Sequence, residues 1–197
     1  MAAACVQADD LVSEADFLVF VGQKVSVEKF EPLLACDGCR MDPTVRAHYR
    51  IVQKVYGAYQ DVDIRFDAGD HFGQFPFANY EHVLLFVRKD KDGKWQHEKY
   101  QYFPIYETQD GGWAACGSAN QFEHPSIRGP NTARSIKFKR PVVELIGTMS
   151  AKDLEVWYPR SDWRRAEGLA TCLRGTPVIE LFEGKKRGVL KARGLFK

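Results

Sequence analysis

The sequence predicts a mainly β protein, an antiparallel OB-like barrel or meander that carries a small mixed α/β extension at its C-terminal end. Two observations predict this class: six segments have strand patterns separated by turn signals, and helical periodicity is almost absent. A chain of 197 residues, 45% of them apolar, also buries enough surface to hold such a fold without help from metal. We expect a β domain over residues 9–117, a connecting loop over 118–133 and a basic extension over 134–197, packed on the barrel.

The first strands follow from their apolar patterns. Residues 17–21 and 83–87 are uninterrupted apolar runs, typical of strands buried on both faces, and the first run continues past Gly22 with one polar face. Apolar and polar residues alternate over 45–56, but the alternation is shifted at one point, which predicts a bulge near Val52. Over 62–67 apolar and polar residues alternate without interruption.

Turn signals join these strands into a meander. Residues 90–93 read Asp-Lys-Asp-Gly and residues 109–112 read Gln-Asp-Gly-Gly, and both predict hairpins. A loop rich in glycine and aromatic residues spans 68–80.

The extension mixes element types. Pro141 interrupts a strand pattern over 136–145, which is typical of an edge strand. Ser150 with Asp153 three residues later predicts a helix cap, and Pro159 ends that helix. Residues 178–182 and 189–196 are predicted to form a terminal hairpin.

The charge is divided unevenly along the chain. Residues 1–133 carry a net charge of −6 and residues 134–197 a net charge of +8, although the whole chain is only +2. The basic part could attract an acidic protein, a nucleic acid or a membrane surface, or it could simply attract the acidic part of the chain. The composition excludes disorder, collagen-like repeats and coiled coil, and no apolar run approaches the roughly 20 residues of a membrane helix.

Four of the five cysteines suggest disulfides. Cys36 and Cys39, in Cys-Asp-Gly-Cys, could close a tight turn, and Cys116 and Cys172 could then join the acidic and basic parts. Free thiols, or a metal or redox role for Cys-Asp-Gly-Cys, are the alternatives. Paired cysteines would imply an oxidising compartment.

The fifth cysteine lies near the beginning of the sequence. Met-Ala-Ala-Ala-Cys matches the last positions of a bacterial lipoprotein signal, although the apolar stretch that precedes such a cysteine is absent. We therefore expect Cys5 to be lipidated, and the protein to be periplasmic or anchored to the outer membrane.

The order of the strand motifs resembles the netrin-like domain, the OB-type barrel of tissue inhibitors of metalloproteinases and of related secreted bacterial proteins. The resemblance covers roughly residues 15–90. It rests on Ala-Asp-Phe-Leu-Val-Phe-Val-Gly (15–22), Tyr-Arg-Ile-Val-Gln-Lys-Val-Tyr-Gly (49–57), Val-Asp-Ile-Arg-Phe (62–66), His-Phe-Gly-Gln-Phe (71–75) and Tyr-Glu-His-Val-Leu-Leu-Phe-Val (80–87). It implies a five-stranded barrel. The lipoprotein-like start at Cys5 makes the whole chain resemble a secreted protein of a Gram-negative bacterium.

Two departures limit what the resemblance implies about activity. Phe72-Gly73 stands where the family has Cys-Gly, and Cys5 is followed by Val6 and Gln7, whereas the inhibitors begin with Cys-x-Cys. Inhibition of a metalloprotease is therefore not implied.

The sequence contains few candidate catalytic or metal-ligating residues. No HExxH, GxSxG or GxxxxGK[ST] motif is present. Asp67, Asp70 and His71 form the best local cluster, and they could ligate a divalent cation or act as acid and base. His97 and Glu98 are strand neighbours, so their side chains should point to opposite faces.

The second candidate feature of the sequence is a group of aromatic residues. Phe72, Phe75, Phe77 and Tyr80 lie in one loop, and they either fill the barrel or form a recognition surface together with Lys185, Lys186 and Arg187. We expect a non-enzymatic extracytoplasmic protein-binding module without a cofactor, for example an inhibitor or immunity protein against a secreted hydrolase. Contact with a membrane would be limited to an anchor at Cys5. The alternatives are an OB-type binder of single-stranded nucleic acid, which the cysteines argue against, and a metal-dependent envelope enzyme.

Overall fold

A computed structural model describes residues 12–30, 42–119 and 132–197, and its first five strands close into a barrel. These strands are β1 (Phe17–Phe30), β2 (Thr44–Tyr56), β3 (Asp63–Gly69), β4 (His82–Lys89) and β5 (Trp95–Pro104), arranged in the order β1-β2-β3-β5-β4. Antiparallel pairing of β1 with β4 and a parallel contact between β3 and β5 complete the ring. The predicted mainly β, OB-like class is confirmed.

The apolar runs of β1 and β4 are explained by burial on both faces. Leu18 and Phe20 point into the barrel, whereas Phe17, Val19 and Val21 contribute to a second apolar cluster outside it. Because both faces are covered, the polar and apolar alternation of an ordinary barrel strand is missing.

The register of β1 and β2 contains the expected bulge. Val21 pairs with Gln53 and Gly22 with Ile51, so Val52 has no partner and its side chain is 43% exposed. A Cβ atom on Gly22 would lie 2.9 Å from the Tyr49 ring, so glycine allows that ring to fill the barrel.

Two small sheets form the rest of the molecule. One contains β6 (Tyr106–Glu107), β7 (Trp113–Cys116), β12 (Arg174–Pro177) and β8 (Arg134–Ser135) in that order, and the other contains β10 (Trp163–Ala166), β11 (Leu169–Cys172) and β9 (Val143–Leu145). Thus the hairpin of β6 and β7, which the sequence groups with the barrel, pairs through β7 with the C-terminal strand β12. The hairpin turns at 90–93 and 109–112 form as predicted.

The short helix α1 (Ala151–Trp157) has its predicted cap. The Ser150 Oγ accepts a hydrogen bond of 3.1 Å from the Asp153 backbone N–H, and the helix ends before Pro159.

The predicted C-terminal hairpin is wrong. Residues Val178–Lys185 form helix α2, which continues through a wider turn over Lys186–Leu190. Val178, Leu181 and Phe182 are spaced three and four residues apart, so they lie on one helix face and are buried against the barrel. Burial of this face outweighs the strand preference of its β-branched residues.

The apolar cluster outside the barrel, here the outer cluster, packs the C-terminal segment against the barrel. It joins Phe17, Val19, Val21, Leu84 and Phe86 of the barrel to Leu181, Phe182, Leu190 and Phe196. The buried Glu98 carboxylate adds a polar connection, because it pairs with Arg88 at 3.1 Å and with Arg193 after α2.

A disulfide joins Cys116 of β7 to Cys172 of β11, as predicted, with Cα atoms 5.9 Å apart. Cys5, Cys36 and Cys39 lie outside the described residues, and so do their predicted lipidation and pairing. Within the described ranges, no helix has the length and apolar character needed to cross a membrane.

Candidate functional site

A bulge in β5 displays Tyr100 on the surface. Leu85 pairs with Tyr102 and Val87 with His97, so residues 98–101 face Phe86 alone. Tyr100 lies at φ 66°, in the left-handed region that bulky residues avoid, and it is 58% exposed. Its side chain lines the same cavity as Asp70, and it is among the groups that lower the pKa of that carboxyl against the raising effect of burial. A strained, exposed aromatic residue on a bulge is typical of a functional position.

A first cavity, here the loop cavity, lies on one side of Tyr100. Its volume is about 250 Å³, and it is lined by Phe72, Phe75 and Phe77 of the loop before β4 and by His97, Tyr100 and Tyr102 of β5. The Asp70 carboxylate shapes this loop, because it accepts backbone hydrogen bonds from Phe72 at 2.8 Å and Gln74 at 3.1 Å.

A second cavity, here the aromatic cleft, lies between β5 and the two small sheets. Its volume is about 280 Å³, and Tyr100 and Tyr102 line it as well as the loop cavity. Its other walls include Tyr80, Tyr106, Trp157, Tyr158 and Trp163. The two cavities therefore form one surface, here the aromatic groove, with Tyr100 and Tyr102 between its halves.

One carboxylate lies among these rings. Glu144 of β9 lines the aromatic cleft, and its Oε1 accepts a hydrogen bond of 3.0 Å from the Tyr106 hydroxyl. Burial raises the pKa of Tyr80 to about 12, and the negative charge of Glu144 contributes. Burial and Glu144 likewise raise the pKa of Tyr106 and Tyr158. The three phenols consequently stay neutral at physiological pH.

Lys185, at the end of α2, places a cation at the same cleft. Its Nζ lies 5.1 Å from the centre of the Phe103 ring, which also lines the cleft. Tyr80 and Lys185, from two separate predicted binding segments, are thus brought together. Lys186 instead lies over the Phe196 ring at 4.9 Å, and Arg187 pairs with Glu183 at 3.3 Å.

The predicted aromatic loop divides between surface and core. Phe72 is 78% exposed at the loop cavity, whereas Phe77 is buried against Tyr49 and Phe66. Phe75 packs on Phe77 with ring centres 6.3 Å apart. Phe77 therefore anchors the loop in the barrel core and offers little surface to a partner.

The weak metal candidates are not brought together. Asp67 accepts two hydrogen bonds from Arg46, at 2.9 and 3.1 Å, and Asp70 is occupied by backbone N–H groups. His71 lies 3.0 Å from Asp42. In the parts of the chain that the structure covers, no group of three His, Cys, Asp or Glu residues could hold a metal ion.

The histidine next to Glu98 is structural. The His97 ring packs inside the barrel, 4.8 Å from the centre of Phe77, while Glu98 pairs with arginines outside, as their neighbouring strand positions predict. Nε2 of His97 donates to the Gln101 carbonyl at 2.9 Å, because a carbonyl oxygen can only accept. Burial lowers the pKa of His97 to about 4.

The outer face of β2 and β3 offers little free positive charge for a nucleic acid. Arg46 pairs with Asp67 at 2.9 Å, and Arg50 lies 4.0 Å from Asp63. Oligonucleotide binding relies on cations that can release counterions from phosphates, and paired arginines serve this poorly.

Sequence reasoning missed Glu144, Tyr158 and Trp163 as parts of one site. Alternation placed Tyr100 on a strand, but nothing local indicates the bulge that exposes it. Glu144 reaches the cleft through long-range pairing of β9 with β11. The local signal available was Glu167-Gly168, a hairpin turn that brings β10 and β11 together.

Comparisons of this chain with protein-family models, curated proteins and solved structures gave no significant match. The netrin-like resemblance therefore stays a prediction that rests on the strand motifs of residues 15–90.

Proposed function

We propose that this protein is a non-enzymatic, extracytoplasmic binding module that holds a segment of a partner protein in the aromatic groove. An inhibitor or immunity protein against a secreted hydrolase is one form of this function. The partner segment would lie across Tyr100, with its side chains in the loop cavity and the aromatic cleft.

The observation that carries the proposal is the conformation of Tyr100. Its left-handed backbone costs roughly 1 kcal/mol or more, and its ring gains little from burial because it is 58% exposed. A ligand that covers the ring would explain this conformation, since tyrosine is among the residues that dominate binding energy at protein interfaces.

The disulfide supports the extracytoplasmic part of the proposal. Cys116 and Cys172 connect the two small sheets beside the aromatic cleft, and structural disulfides persist mainly in oxidising compartments. A periplasmic location, and an anchor at Cys5, belong to the same proposal.

Selection of peptides tests the function directly. A phage library of random dodecapeptides is selected on the wild-type protein, and the enriched peptides are synthesised and measured by isothermal titration calorimetry. We expect micromolar binding to the wild type and at least about tenfold weaker binding to Tyr100→Gly, because the loss of a central aromatic contact costs about 1–2 kcal/mol or more. The glycine variant should keep a stability within about 1 kcal/mol of the wild type, since glycine tolerates this backbone conformation.

The control is Val62→Ala. Val62 is 70% exposed but lines neither cavity of the aromatic groove, so its truncation should leave peptide affinity unchanged. Equal affinity of the peptides for wild type and Tyr100→Gly, or no enriched peptide at all, would contradict the proposal.

The two alternative functions have their own readouts. Turnover of peptide, ester or glycan substrates that is lost in His71→Ala would indicate an enzyme. Salt-dependent binding of a labelled single-stranded oligonucleotide, weakened by Arg46→Ala or Arg65→Ala, would indicate a nucleic-acid binder.

A further inference from the structure

We propose that the aromatic cleft is a cage for a positively charged side chain, lysine or arginine, which the partner inserts beside Glu144. This inference rests on the proposed function and adds the chemistry of the group that is recognised.

The walls of the cleft suit an organic cation. Tyr80, Tyr102, Tyr106, Trp157 and Tyr158 all line it, and ring faces attract ammonium and guanidinium groups through their negative quadrupole. Cages of aromatic rings are a recurring way to bind alkylated ammonium groups. A volume of about 280 Å³ accommodates a long basic side chain.

Glu144 supplies the charge that such a ligand needs. Among the described residues, it is the only carboxylate that lines the cleft, and it lies near enough to Tyr80, Tyr106 and Tyr158 to raise the pKa of each. The Tyr106 hydroxyl holds one carboxylate oxygen in place. A fixed carboxylate among neutral phenols favours a cation over a neutral or anionic group.

Lys185 makes the cleft selective in a measurable way. Its ammonium group lies over Phe103 at the same cleft, so it disfavours a second cation there through repulsion. Glu144 and Lys185 therefore have opposite effects on the affinity for a basic side chain. A purely apolar pocket would respond to neither charge.

Trp163 adds a further aromatic ring to the wall of the cleft. This residue is only 7% exposed, so most of its ring is held within the protein. Its indole N–H therefore provides an NMR signal at the site.

The test compares two short peptides on the folded, oxidised protein. Acetyl-Gly-Lys-Gly-amide and its norleucine analogue, which lacks the ammonium group, are titrated at constant ionic strength, and binding is followed by NMR through the indole N–H signals of Trp157 and Trp163. We expect millimolar binding of the lysine peptide and at least about tenfold weaker binding of the norleucine peptide.

Three variants test the charges. Glu144→Gln should weaken binding of the lysine peptide about fivefold, and Lys185→Gln should strengthen it about two- to threefold. The matched control is Glu28→Gln, because Glu28 is exposed on β1 and lies outside the cavity, so the same change of charge should have no effect. Each variant is first checked for an unchanged backbone NMR spectrum.

Several results would overturn the inference. These are equal binding of both peptides, no binding of the lysine peptide, or equal affinities for wild type, Glu144→Gln and Lys185→Gln. Tetramethylammonium binding as tightly as the lysine peptide would show a site for free cations instead of a partner's side chain. If selected dodecapeptides bind across Tyr100 without a required basic residue, the inference fails while the proposed function stands.

Discussion

At the scale of single residues, the barrel interior holds a histidine that is kept neutral. His97 packs against Phe77 and Phe66, and burial is the main cause of its pKa of about 4, with repulsion from Arg193 adding to it. The Gln101 carbonyl, which accepts from Nε2, opposes the shift only in part. The unfolded chain therefore binds a proton between pH 6.5 and 4 that the folded chain does not bind.

This difference sets the sign of a pH effect on stability. Because the folded state binds fewer protons in that window, the His97 contribution is fully present above pH 6.5 and is lost as the pH falls towards 4. We expect the free energy of unfolding to drop by about 2 kcal/mol between pH 7 and pH 5 on account of His97. Urea unfolding at the two pH values measures this.

The control for the pH effect is His97→Gln. This variant is less stable at pH 7, but it should lose about 2 kcal/mol less than the wild type on going to pH 5. The carboxylates with lowered pKa values, such as Asp70 and Asp90, titrate below this window. An identical drop in both proteins would contradict the assignment to His97.

At the scale of elements, helix α2 covers the apolar outer faces of β1 and β4. Leu181 is fully buried in the outer cluster, whereas Ile179, two residues before it, is 49% exposed. Leu181→Ala should lower the free energy of unfolding by about 3 kcal/mol, because it removes buried methyl groups and leaves a cavity. Chemical denaturation followed by circular dichroism measures the change.

Ile179→Ala is the matched control on the same helix. It removes a similar apolar volume from an exposed position, and alanine has the better helix propensity, so stability should change by less than about 1 kcal/mol. If both variants lost the same stability, the packing of α2 on the barrel would be refuted.

The elements also show where sequence reasoning succeeds. The barrel strands and the cap at Ser150 were predicted correctly because alternation, turn residues and capping are local, and even the bulge at Val52 left a slip in the pattern. The C-terminal hairpin was wrong because Val178, Ile179 and Phe182 favour strands locally, while the decisive surface, the outer face of β1, lies far away in sequence. The i, i+3, i+4 spacing of Val178, Leu181 and Phe182 was the signal for the helix.

The site was less predictable than the fold for the same reason. Tyr80 and Lys185 were singled out as an aromatic and a basic residue, but their meeting depends on how α2 packs. Glu144 reaches the aromatic cleft through the pairing of β9 with β11, and Tyr106 belongs to a hairpin that pairs with the distant strand β12. The exposure of Tyr100 depends on the register between β4 and β5, which apolar patterning leaves open on a strand covered from both sides.

At the scale of the whole molecule, the Cys116–Cys172 disulfide connects the sheet of β6, β7, β12 and β8 to the sheet of β10, β11 and β9. Its sequence separation is 56 residues, so it constrains a long loop of the unfolded chain. Chain entropy predicts a stabilisation of about 4 kcal/mol for a loop of this length. Because Cys116 also lines the aromatic cleft, the same bond fixes part of the groove wall.

Reduction should therefore weaken both stability and binding. We expect dithiothreitol to lower the free energy of unfolding of the wild type by about 2–4 kcal/mol, and to weaken binding of the selected peptides. The double variant Cys116→Ala/Cys172→Ala should start near the reduced wild type in both respects and respond little to the reductant. A response of the double variant as large as that of the wild type would assign the effect to other cysteines. Full peptide affinity in the double variant would instead show that the aromatic groove keeps its shape without this bond.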